Sequence, residues 1–339
     1  MSRQSIKISV IIPVYNQQKY LAECLQSALG QELKEIEVLC VNDGSTDASA
    51  EILKKFQNDD KRVKVLNQKN KGVAAARNRA LFAASGEYVC FLDGDDFYPD
   101  KFVLNKLYLA ARNSGAYVCG GSWSETEGGL LRTNFFYPYE GFTFVKTGWI
   151  NYFDYQFDYG FQRFIYERNF LLSQKITFPL YRRYQDPVFF VKTMLAAKRF
   201  YAIEAITYHY RIGHQNWAEW SREKWQDLAL GLSNVMYIAQ SENLCKLADY
   251  TCKRIEDAAE RLLTLLVRGE SNFIEGLLML NEAFCGDNAD FPLLSSFEKI
   301  VYEMQERGKE IENIRRSYSY RIGRAVTFLP RILLKYLKK

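Results

Sequence analysis

Residues 88–96 read Tyr88-Val89-Cys90-Phe91-Leu92-Asp93-Gly94-Asp95-Asp96, an apolar run that ends on three carboxylates within four positions. A short apolar run without polar alternation marks a strand covered on both faces, as in a parallel sheet. The same kind of run recurs outward from it, at residues 7–12 (KISVII), 37–41 (EVLCV), 63–66 and 117–119. Between these runs lie stretches of helical spacing at 19–29, 47–56, 72–84 and 100–112. Strand and helix in alternation predict an α/β fold, a mostly parallel sheet flanked by helices. In open sheets of this kind ligands sit beyond the carboxyl ends of the strands. The positions to inspect are therefore 13–16, 42–45 and 93–96, where glycine and carboxylates gather.

The carboxylates of Asp93, Asp95 and Asp96 repel one another, and a hard divalent cation offsets that repulsion by taking carboxylate oxygens. Mn²⁺ or Mg²⁺ completes its shell with water and phosphate, so few protein ligands are needed. The plain alternative is an acidic turn, since Asp-Gly is a common turn pair. At the second strand end, Asp43 can accept a hydrogen bond from a base N–H such as the uracil imide. The alternative there is a turn leading into a helix capped by Asp47. At the first strand end, Tyr15 can stack on a planar base, and the fixed bend at Pro13 places it.

Together the stretches SVIIPVYN (9–16), VLCVNDGSTD (38–47), NKGVAAARNRAL (70–81) and YVCFLDGDD (88–96) resemble the family 2 glycosyltransferases of the GT-A fold, in order and in spacing. The resemblance spans residues 7 to about 115 and extends more weakly to about 215. It implies transfer of a sugar from a nucleotide-diphosphate donor, a UDP-sugar, to a hydroxyl of a glycan or lipid-linked acceptor, with inversion. Pro13, Tyr15 and Asn16 would form the first donor-binding strand end, and Asp43 would read the base. Lys71, Gly72 and Arg77 would line the nucleotide side. Asp93 would face the ribose, Asp95 would bind the Mn²⁺ or Mg²⁺ that bridges the diphosphate, and Asp96 would stand behind them. The family's base is the Asp of a Glu-Asp pair at the start of a helix. Here Gln185-Asp186-Pro187 matches, with Gln in place of Glu. Asp186 is thus the implied base, the alternative being a helix cap. Tyr208-His209-Tyr210-Arg211 resembles the segment that closes the family's domain, and the planar fork of Arg211 suits a leaving diphosphate. Some GT-A enzymes use a late His as a further metal ligand; of the two histidines, His209 and His214, the candidate is His214. Two other functions compete. A nucleotidyltransferase on a related sheet would want a Gly-rich basic loop where Pro13-Val14-Tyr15-Asn16 stands. A non-catalytic sugar-nucleotide-binding protein would not need Asp186.

The remaining sequence sets the surroundings. Residues 120–160 are rich in Gly and aromatics with weak periodicity, and read as an irregular acceptor-side region. A helix is expected at 186–197, with strands at 200–203 and 207–210. From about residue 217 the chain reads as helices, at 225–240, 247–268, 272–284 and 297–314. The expected division is a catalytic domain at 1–216, a helical region at 217–318 and a basic amphipathic tail at 319–339. The net charge is +5, and residues 307–339 hold ten Lys and Arg against two Glu. The body is therefore slightly acidic, which argues against a nucleic-acid partner. The tail fits peripheral contact with an anionic membrane surface, which would suit a lipid-linked acceptor; docking on protein is the alternative. Seven cysteines without a CxxC pair fit a reducing compartment. With no signal-peptide pattern and no apolar run of spanning length, the expected location is cytoplasmic, at the inner face of the membrane if the tail binds there.

Overall fold

The apolar run at residues 8–14 becomes β1 (Ile8–Val14), buried at all seven positions. The computed structural model describes residues 5–213, 221–267 and the single positions Lys309 and Asn313. The expected alternation follows: α1 (Leu21–Leu29), β2 (Ile36–Asn42), α2 (Ser49–Asp59), β3 (Val63–Asn67), α3 (Val73–Ala83), β4 (Tyr88–Phe91) and α4 (Val103–Ser114). In α1 the residues Leu21, Cys24, Leu25 and Ala28 form one buried stripe, the pattern a helix needs to cover a sheet. The Ala-rich α3 buries Ala74, Ala76 and Ala80 together with a charged residue, Arg77. The chain continues through β5 (Val118–Glu127), β6 (Leu130–Arg132), β7 (Gly148–Asn151), α5 (Tyr152–Tyr155), β8 (Phe164–Glu167), α6 (Arg168–Ser173), α7 (Gln185–Ala197), β9 (Arg199–Arg211), α8 (Arg222–Ser241) and α9 (Cys245–Val267).

One nine-stranded sheet runs in the order β3-β2-β1-β4-β8-β5-β9-β7, with β6 paired to β5. β1 lies parallel to both β2 and β4, so that Val10 sits between Val38 and Cys90. β8 enters antiparallel between β4 and β5, and β9 is parallel to β5. The sheet is thus mostly parallel, with helices on its faces. This register sets the ends of β1, β2 and β4 side by side, which gathers residues 13–16, 42–45 and 93–96 along one edge.

Two regions differ from the sequence reading. The strand expected at 117–119 runs on as the ten-residue β5, eight residues of which lie in the stretch at 120–160 that was expected to be irregular. Its apolar pattern fails because Ser122 and Ser124 are buried with their hydroxyls paired: Ser124 Oγ donates to the Tyr208 carbonyl at 3.0 Å, and Ser122 Oγ accepts from the Phe144 N–H at 2.9 Å. The two strands expected at 200–203 and 207–210 are one strand, β9, which follows β5 through register shifts around Ser122.

The first compact unit is Met1–Asp257 and the second Ala258–Lys339. The first extends past residue 216 to take in α8 and the first half of α9. His214, the helices expected at 272–284 and 297–314, and the basic tail at 319–339 lie outside the described residues, apart from the two single positions. Among the described residues no helix is long and apolar enough to cross a membrane. The six described cysteines are all free thiols, and Cys24, Cys40, Cys90 and Cys119 are buried.

Candidate active site

The loops after β1 and β2 are laced together. Asn16 takes a left-handed conformation (φ 54°), and its Oδ1 accepts the Thr46 N–H at 2.8 Å. The Asn16 N–H donates to Ser45 Oγ at 3.2 Å, and the Gln18 N–H donates to Asp47 Oδ2 at 3.0 Å. Just before this turn, Tyr15 stands 46% exposed at the strand end, and Pro13 lies inside β1. Asp43 is buried and already engaged. Its carboxylate accepts from Gln68 Nε2, the Lys71 N–H and the Gly72 N–H, each at 2.8 Å. Its first duty is to hold the turn that opens α3, where Gly72 has φ 87°. A carboxylate has about four acceptor positions, so roughly one remains for a base N–H.

The acidic triplet divides its labour. Asp93 Oδ1 accepts from Arg77 Nη2 at 2.5 Å, and Asp93 Oδ2 accepts from Gln162 Nε2 at 3.0 Å. Asp96 is buried beneath the turn. Its Oδ2 accepts from the Tyr208 hydroxyl at 2.6 Å and its Oδ1 from the Arg211 N–H at 2.8 Å, which fastens the turn to β9. Burial raises the Asp96 carboxyl well above the ordinary range, and the charges of Asp95 and Asp93 add to it. Burial likewise raises the Tyr208 phenol, so it remains a donor. Arg211 does not point away from the protein. Its Nε donates to the Asp95 carbonyl at 2.9 Å, its Nη2 pairs with Glu23 at 2.8 Å, and the guanidinium lies over Tyr20 and Phe97. It braces the turn that carries Asp95.

Asp186 stands at the start of α7, with Pro187 in the first turn where its missing N–H costs nothing. Burial raises the Asp186 carboxyl above its ordinary value, and the nearby charge of Arg77 opposes that rise. Arg77 therefore joins the two acidic groups. It is 4% exposed, ion-paired to Asp93, felt by Asp186, and stacked on Phe161 and Phe178 at 4.8 and 5.3 Å. Its Nε and Nη1 are buried without hydrogen-bond partners. The sequence reading places Arg77 on the nucleotide side; in the structure it pairs with Asp93 and lies within electrostatic reach of Asp186. Four further residues carry the site and were missed. Gln162 and Tyr208 hold Asp93 and Asp96 through hydrogen bonds that cross from distant segments, and no local pattern marks Gln162. Tyr210 and Arg183 lie within electrostatic reach of both Asp95 and Asp186. The Tyr208–Arg211 stretch was a legible signal, but it pointed to Arg211 alone. His209 is not part of this group. It contacts Ser124, packs at a tilt against Phe97, and burial lowers its pKa.

Residues 9–172 match the glycosyl transferase family 2 model. This stretch is a glycosyl transferase family 2 domain. The chain is similar to glycosyltransferase GlyA of Streptococcus pneumoniae, 46% identical over 125 residues, which cover 36% of this chain and 18% of GlyA. A longer match, to putative glycosyltransferase EpsH of Bacillus subtilis, is 27% identical over 81% of this chain and 77% of EpsH. Among solved structures, residues 1–349 of S. aureus TarS in complex with UDP-GlcNAc share the fold, with a TM-score of 0.64, 22% identity, and coverage of 82% and 81% of the two chains.

A divalent cation fits the donor set of this glycosyltransferase in one way. The half-buried Asp95 would be its carboxylate ligand, beside Asp93 and Asp96, which each accept two hydrogen bonds from protein groups. Among the described residues there is no cluster of three His, Cys, Asp or Glu side chains suited to a metal. One carboxylate is enough for Mg²⁺ or Mn²⁺ when substrate phosphates and water fill the other positions.

Proposed function

We propose that this glycosyltransferase moves a sugar from a UDP-sugar to a hydroxyl of a glycan or lipid-linked acceptor, with inversion at the anomeric carbon and with help from a divalent cation. The observation that carries this reading is that Asp93, at a strand end, and Asp186, at the start of α7, share Arg77, while Asp186 and Asp95 both act on Arg183. TarS, which shares the fold, was solved with UDP-GlcNAc, and this supports a uridine donor.

Uracil would lie on Tyr15 with its imide N–H toward the remaining acceptor position of Asp43. Lys71 and Gly72, held by Asp43, would wall the nucleotide, and Asn16 would keep Tyr15 in place. Asp93, fixed by Arg77 and Gln162, would accept from a ribose hydroxyl. Asp95 would hold Mn²⁺ or Mg²⁺, with His214 as a further candidate ligand; when bound, the cation neutralises charge on the leaving diphosphate. Arg211 would act at one remove, by holding the Asp95 turn. Asp186 would take the proton of the acceptor hydroxyl as its oxygen bonds to the anomeric carbon. The bond from that carbon to the phosphate oxygen breaks, and UDP departs with the electron pair. A carboxylate with a raised pKa is a better proton acceptor than an ordinary Asp. The acceptor and the contact of residues 319–339 with a membrane belong to the same proposal.

The test is release of UDP from a panel of UDP-sugars, with Mn²⁺, Mg²⁺ or EDTA. Turnover with metal, its loss in EDTA, and a drop of about 10²–10⁴-fold in kcat for Asp186→Asn with little change in donor KM are expected. Full activity of Asp186→Asn would remove the base assignment.

A further inference from the structure

The helices after residue 216 grip the loop that carries Asp186. Tyr181, Arg182 and Tyr184 lead into α7, and each is held by α8 or α9. The Arg182 N–H donates to Asp227 Oδ2 at 2.7 Å, and Asn234 Nδ2 donates to the Tyr181 hydroxyl at 3.1 Å; both partners are on α8. Tyr184 is buried in a left-handed conformation (φ 62°), directly before Gln185 and Asp186. Gly231 of α8 lies flat against it. A Cβ at residue 231 would come within 2.7 Å of Tyr184 Cβ and 3.0 Å of its carbonyl oxygen. Such a contact cannot be relieved by a side-chain rotation, because backbone is involved.

The second grip is electrostatic. Asp158 is fully buried, and Arg254 of α9, also buried, donates to it through Nη1 at 2.6 Å. The Tyr184 hydroxyl donates to the same Asp158 Oδ2 at 3.4 Å. The Arg254 guanidinium lies 3.7 Å over the Tyr159 ring, and Tyr159 packs edge-on against Tyr184 at 6.0 Å. A buried ion pair is a weak source of net stability, but it fixes geometry where its partners are aromatic and rigid.

Resting on the reading of Asp186 as base, we infer that α8 and α9 are part of the catalytic apparatus: Gly231 and Arg254 are positioning residues that set Asp186 through Tyr184. Neither touches the reacting atoms. The groups facing Asp186 are Arg77 of α3, Asp93 at the end of β4, and Arg183 of its own loop. The clamp keeps the carboxylate at its set distance from them.

The test uses the full chain and two variants. Gly231→Ala pushes on Tyr184 while keeping every charge. The pair Arg254→Met with Asp158→Asn removes both members of the ion pair together, so neither is left buried alone. Three quantities are measured: binding of UDP with Mn²⁺ by calorimetry, turnover of UDP-sugar, and titration of the Asp186 carboxyl by ¹³C NMR, assigned with Asp186→Asn. The clamp predicts UDP affinity within about twofold of wild type, kcat reduced at least about tenfold, and a changed Asp186 titration midpoint. An Asp186 titration identical to wild type in both variants overturns the inference, whatever the donor turns out to be. A fully active Asp186→Asn sinks the base assignment instead, and leaves the titration to judge the clamp separately.

Discussion

Arg77 decides how the site is charged. It neutralises Asp93 through an ion pair and restrains the rise that burial imposes on Asp186. Replacing it with Met removes the opposing charge, so the Asp186 carboxyl should rise further. A base works only when ionised, so activity is lost as pH falls through its pKa. The acid limb of the kcat profile should therefore move to higher pH in Arg77→Met and stay near wild type in Arg77→Lys. A limb that stays put in Arg77→Met would separate Arg77 from the base. At this scale the sequence was legible in part. Each acidic residue of the site stood in a readable motif, because chemistry at a strand end needs particular side chains at particular spacings. The partners that tie them down were not legible. Gln162 reaches Asp93 across 69 residues and Tyr208 reaches Asp96 across 112, and nothing local records such meetings.

The first half of the sheet is pinned by a buried carboxylate outside the site. Glu37 in β2 accepts from Ser9 of β1, from the N–H and hydroxyl of Ser85, and from Lys64 of β3, at 2.6–2.7 Å. Burial pushes its pKa up, but Lys64, Ser9 and Ser85 outweigh that, and the net shift is downward from 4.5. The stability it contributes is present above the unfolded value of about 4.5 and is lost as pH falls through the lower folded value. Glu37→Gln should therefore cost about 1–3 kcal/mol near neutral pH and flatten the acid limb of stability, read by urea denaturation from pH 7 to 3. An unchanged acid limb would exclude Glu37 as its source. β1, β2 and β4 were legible because strands buried on both faces have only one pattern. β5 was legible only at its start, the run at 117–119, since buried serines beyond it pair with backbone and break the apolar pattern. β8, another four-residue strand, lies where no run was singled out.

At the scale of the molecule, the boundary expected at residue 216 and the compact unit ending at Asp257 do not coincide. One tie across residue 216 is Asp158, whose charge is buried by one segment and neutralised by another 96 residues later. A chain cut after residue 216 would keep Asp158 and lose Arg254, which leaves an unpaired buried charge worth about 3–5 kcal/mol of destabilisation. We expect that truncation to be insoluble or to melt far below the full chain by calorimetry, whereas a cut after residue 267 should leave the first unit folded. Equal melting of the full chain and the residue-216 truncation would contradict the clamp. The central claim, that a cation at Asp95 and the strand ends together hold a uridine diphosphate, has a direct test that needs neither the sugar nor the acceptor. It is the affinity for UDP measured calorimetrically with Mn²⁺ and again in EDTA, for wild type and Asp95→Asn. Binding at least about tenfold tighter with Mn²⁺ in wild type, and no metal effect in Asp95→Asn, is the result predicted. Equal UDP affinity with and without the metal in wild type would contradict it.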